Sequence, residues 1–98
     1  MITVRVRTNL DLHGEEWPRY LPAVPSIGHL IESSTHHEIG SGSLRLQLEV
    51  ASVIWTVSKG EPYIPQIELH LPRGRFRSLR EFYEWYAPRV GKTVSSFL

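Results

Sequence analysis

Cysteine is absent from this 98-residue chain, which rules out a disulfide framework, a thiolate metal site and a cysteine nucleophile. Long apolar runs are absent too; no stretch approaches the roughly 18 residues that a membrane helix needs. The opening MITVRVRTNL alternates apolar with polar and charged residues, unlike a secretory signal, so a cytoplasmic location and no membrane partner are expected. A Gly-rich phosphate loop, a paired-carboxylate motif and a nucleophile elbow are likewise missing. The chain is therefore expected to be no enzyme and to need no cofactor.

What is present fits one domain over residues 1–98. Apolar residues make up 41% and include three tryptophans, enough for a real but modest core. The net charge of +1 conceals an asymmetry. Residues 1–71 carry five Lys/Arg against eight Asp/Glu; residues 72–98 carry six against two. Arginine outnumbers lysine nine to two. Its planar fork suits carboxylate and phosphate and stacks on aromatic rings, although a genome rich in G and C produces the same bias.

Hydrophobic phase marks the elements. ITVRVRT places Ile2, Val4 and Val6 on one face of a strand, with Thr3, Arg5 and Arg7 on the other. Pro18, Pro22 and Pro25 then hold an extended cover segment, with Trp17, Tyr20, Leu21 and Val24 packing across an open end of the sheet. GHLIESSTHHEI is a strand with an interruption near Ser33 and Ser34, and Gly40 to Gly42 supply a turn. SLRLQLEVASVIWTVS follows, with Leu44, Leu46, Leu48 and Val50 in one phase and Val53, Trp55 and Val57 in the other. Such a phase change requires a bulge near Ala51 and Ser52 or a strand that crosses between sheets, and both curl a small sheet. YIPQIELHL returns with Ile67, Leu69 and Leu71 inside.

A helix begins at Ser78, where Glu81 completes a capping-box pattern. Leu79, Phe82, Tyr83 and Tyr86 form its apolar stripe, and Pro88 stops it near Ala87. The expected fold is α+β: a small curled, mostly antiparallel sheet of four to five strands, barrel-like, with one C-terminal helix covering an opening.

PRGRFRSLR, residues 72–80, is the candidate working surface. Arg73, Arg75, Arg77 and Arg80 crowd the start of a helix, where a cation opposes the helix dipole by roughly 0.3–1 kcal/mol. An incoming anion reverses that balance, because free N–H groups and guanidinium groups both point to it. The competing account is a solvated turn in which Arg80 pairs with Glu84 and Arg77 with Glu81. Phe76 among the arginines and Trp85 on the helix flank add residue types enriched at binding hot spots.

The expected partner or anion site is thus Arg73, Arg75, Phe76, Arg77, Arg80 and Trp85. The expected function is a small non-enzymatic binding or regulatory protein, contacting an acidic or mixed protein surface. The alternative is a nucleic-acid-binding module using the same arginines, extended by Arg5, Arg7 and Arg45, with Phe76 stacking on a base. Against it, the pI of about 8.2 is below the value near 9 of basic nucleic-acid domains. A homodimer through an uncovered strand edge is a further expectation. The histidines make a poor metal site: His36 and His37 point to opposite faces of a strand, and His13 with Glu15 and Glu16 lacks an obvious third ligand. His29 and His70 meet only if their strands are neighbours. PAVP and PYIP match the P-x-x-P pattern but read better as strand connections.

Overall fold

The computed structural model describes residues 1–12, 14–39 and 42–98, with the backbone alone for 36–39 and 42–44. The elements are β1 (Ile2–Thr3), β2 (Arg5–Thr8), β3 (Tyr20–Leu21), β4 (Leu30–Ile39), β5 (Gly42–Thr56), β6 (Ile64–His70) and α1 (Leu79–Tyr86). Two 3-10 turns follow, Ala87–Val90 and Val94–Ser96. The fold is α+β: a curled four-stranded half-barrel ordered β2-β6-β5-β4, a small sheet of β1 and β3, and one C-terminal helix.

The meander β4–β5–β6 is antiparallel throughout, while β2 lies parallel to β6. The N-terminal segment, expected as one strand, divides at Val4. Its first two residues pair with Tyr20 and Leu21, and the rest switches to β6. Trp17 and Leu21 pack against the core as expected of the proline-rich cover. Tyr20 does not; it is exposed, because neighbours in a strand point to opposite sides and Leu21 takes the inner one.

Both phase breaks read from the sequence are present. In β5, Val50 faces Leu69 and Ser52 faces Glu68, so Ala51 is an extra residue opposite no partner. In β4, Glu32 faces Gln47 and His36 faces Arg45, so Ser33 to Thr35 lie opposite Leu46 alone. The backbone groups freed there find other partners. Ser34 N–H donates to Glu16 O (2.7 Å), and Thr35 N–H donates to the Ser33 hydroxyl (3.1 Å). Pro65 is tolerated inside the sheet because β2 begins to pair only at Gln66, leaving the proline on a locally open edge.

The inner face of the sheet supplies Ile31, Leu46, Leu48, Val50, Ile67 and Leu69 to the core. The helix covers it with Phe82, Tyr83 and Tyr86, all buried. Leu79, expected in the same stripe, is largely exposed. Ser78 caps the helix, its hydroxyl accepting from Glu81 N–H at 3.1 Å. Phe97 from the C-terminal tail stacks on Tyr83 with centroids 4.7 Å apart. No helix of the described residues is long and apolar enough to cross a membrane.

Candidate functional site

The arginine run follows β6 through a tight turn. Gly74 adopts φ of 75°, a conformation that favours glycine, and Arg75 N–H donates back to Pro72 O at 3.4 Å. This reversal sends successive arginines in different directions.

Arg73 turns to the outer face of the sheet. Its Nε lies 3.1 Å from Glu49 Oε2, and its backbone N–H donates to Glu49 Oε1 at 3.2 Å. Glu49 pairs across the strands with His70, whose Nε2 is 3.0 Å from Oε2. The contact with His70 first, then the Arg73 N–H, holds the Glu49 carboxyl below its ordinary value, with burial opposing. Glu49 sits in phase with Arg45 and Gln47 on the polar side of β5, so nothing in the sequence marks it as covered. Its burial comes from Arg73 and His70 folding over it.

Arg75 turns towards the helix. Its guanidinium carbon lies 5.1 Å from the Trp85 ring centroid and 5.5 Å from that of Phe76. Phe76 packs against Phe82 at 5.3 Å and Trp85 at 5.6 Å. Trp85 is half-buried, and Arg89 lies against it as well, at 4.6 Å, while donating to its carbonyl oxygen. Two guanidinium groups thus flank one indole. Arg89 was not among the residues singled out from the sequence, although its i+4 spacing from Trp85 on a helical stretch is the signal that finds it.

Arg80 pairs with Glu84 at 3.3 Å, the i+4 contact expected of a solvated helix face. Arg77 is exposed and forms no ion pair with any described residue, Glu81 included. The structure therefore brings Arg75, Phe76 and Trp85 together, adds Arg89, leaves Arg77 beside them in sequence, and ties Arg73 and Arg80 to carboxylates of the same chain.

The strand arginines do not join this cluster. Arg5 lies 3.7 Å from Glu61, Arg7 3.3 Å from Glu68 and Arg45 3.4 Å from Glu32. Arg45 is also two strands away from β2.

Of the histidines, His13 and the side chains of His36 and His37 lie outside the described residues. His29 Nδ1 accepts from Ser26 N–H, and His70 is engaged by Glu49. Glu15 accepts from the hydroxyls of Ser33 and Tyr86.

Compared with known protein families, curated proteins and solved structures, the chain matches none.

Proposed function

We propose that this chain is a small non-enzymatic binding protein that docks on an acidic or mixed protein surface, acting as a regulator, inhibitor or assembly adaptor. Its working surface is the turn carrying Arg75, Phe76 and Arg77 with the helix flank carrying Trp85 and Arg89. The observation that supports this most is the pair of guanidinium groups against the Trp85 ring.

A guanidinium lying over a ring keeps its N–H edges available to a carboxylate. Stacking also restricts a long side chain before any partner arrives, which lowers the entropy lost on binding. Arg80 adds to the surface, because an exposed pair such as Arg80–Glu84 contributes only about 0–1 kcal/mol and is readily exchanged. Arg73 plays a different part, anchoring the turn to the sheet through Glu49.

The nucleic-acid reading is less well supported. Phe76 and Trp85 already pack on each other and on guanidinium groups, and the strand arginines have carboxylate partners.

The test is capture of partners from native lysate with the intact chain and with an Arg75→Glu/Arg77→Glu double variant, each with and without nuclease. A protein partner that survives nuclease and is lost by at least about tenfold in the variant supports the proposal. A partner retained equally by the variant, or nucleic acid alone, counts against it.

A further inference from the structure

The chain between Glu16 and Arg19 bridges the open side of the half-barrel. At one end Ser34 N–H of β4 donates to Glu16 O at 2.7 Å; at the other Val4 N–H donates to Arg19 O at 2.9 Å. β4 and β2 are the outer strands of the sheet, so this segment joins its two edges. The join on the β2 side is short. The ladder with β3 pairs Ile2 with Leu21 and Thr3 with Tyr20, and it ends at the Val4–Arg19 bond.

Continued by two residues, that ladder would set Val6 against Trp17, but Pro18 stands between. Backbone groups alternate along a strand, so Val6 N–H and C=O point the same way as those of Val4, away from β6. No described residue bonds to them there. A slot of about 430 Å³ opens at this place. Val6, Trp17 and Pro18 line it and are half-buried, Val6 and Trp17 packing against the core as well.

Arg19 lines the slot too and is exposed. Register sets it opposite Val4, and opposite residues of antiparallel strands project to one side, so it emerges on the side of Val4 and Val6. Unlike Arg5, Arg7 and Arg45, it forms no ion pair with any described residue.

These features define an occupant. The volume lies at the lower end of small-ligand clefts, and the β1–β3 ladder closes the slot at Val4, so an extended chain cannot run along the whole edge. One guanidinium and one free backbone N–H match the two oxygens of a carboxylate; a phosphate dianion requires more donors. The Trp17 ring and the Val6 side chain suit a flat apolar body.

We propose that this slot binds a small organic carboxylate, its charged end on Arg19 and Val6 N–H and its apolar body against Trp17 and Val6. None of these residues belongs to the arginine turn or to the helix flank, and the site acts independently of both.

Titration of the isotope-labelled full chain with phenylacetate, followed through its backbone and indole N–H signals, tests this. Saturable shifts are expected at Val6, Arg19 and the Trp17 indole, with a Kd on the order of 1 mM. Phenylacetamide keeps the body without the charge and is expected to bind at least about fivefold more weakly; inorganic phosphate is expected to give no saturation at Val6. Arg19→Gln is expected to weaken phenylacetate at least about fivefold. Because Arg19 is exposed, its thermal midpoint is expected to stay unchanged, which separates lost binding from lost folding. Arg75→Glu/Arg77→Glu is expected to leave the titration as it is, so this proposal and the function of the arginine turn fail separately. Absence of saturation at Val6 and Trp17, or shifts centred on Trp85 instead, overturns the proposal. So does equal binding of the amide, saturation by phosphate at Val6, or an Arg19→Gln chain that binds phenylacetate as tightly.

Discussion

The Tyr86 hydroxyl donates to Glu15 Oε1 at 2.9 Å, joining the C-terminal helix to a loop 71 residues earlier in the chain. The other carboxylate oxygen of Glu15 takes the hydroxyl of Ser33, a fully buried residue on β4. One helical turn earlier, Tyr83 Oη accepts from Asp11 N–H at 2.8 Å. Two tyrosines placed in the apolar stripe of the helix therefore also hold Asp11 and Glu15 by their polar ends.

Tyr86→Phe keeps the ring and removes only the donor. It is expected to cost about 1–2 kcal/mol, because Glu15 loses a partner in a largely covered setting. For a domain of this size that lowers the thermal midpoint by several degrees, on the order of 4–8 °C per kcal/mol, measurable by calorimetry. Tyr86→Ala also opens a cavity and is expected to cost about 3–5 kcal/mol.

Glu49 makes stability depend on pH on the acid side. Its carboxyl is held below the ordinary value by His70 and by Arg73 N–H, so the folded state favours the ionised form. The contribution is complete above the ordinary carboxylate range near 4.5 and is lost as pH falls through the lower folded value. Urea midpoints measured from neutral pH downwards are expected to fall in that window. Glu49→Gln is expected to flatten the fall; an unchanged pH profile would show that the network contributes nothing.

Tyr83 acts at the alkaline end. Burial first, and then the nearby Asp11 charge, push its hydroxyl above the ordinary value of 10.0, with the Asp11 N–H acting against them. The stability tied to the neutral phenol is complete below about 10 and is lost as pH rises through the higher folded value. Tyr83→Phe is expected to reduce the alkaline slope of the urea midpoint, at some cost in stability from the lost Asp11 contact.

Gly74 tests how the arginine turn is held. Nothing lies within 4 Å of where a Cβ would stand, so Gly74→Ala meets no clash. Its φ of 75° still disfavours a side chain, by roughly 1 kcal/mol. The expected result is a small loss of stability, seen as a lower denaturant midpoint with unchanged slope. If the backbone relaxes instead, Arg73 and Arg75 are carried off Glu49 and Trp85, and the acid-side dependence attributed to Glu49 weakens with it.

Local pattern alone determined the meander, both irregularities of its strands, the capped helix and its buried aromatic face. Each follows from the phase of apolar residues at period 2 or 3.6, or from a side chain satisfying a backbone group a few positions away. The switch of the N-terminal segment from β3 to β6 depended on distant pairing, for which Val4 carries no local mark. The same holds at the candidate site. Four arginines are plain in the chain, but only the folded backbone decided that Arg73 meets a carboxylate on β5 while Arg75 meets an indole on the helix. Charge and ring are properties of a residue; the partner of each is set by which strand and helix the tertiary fold brings within a few ångströms.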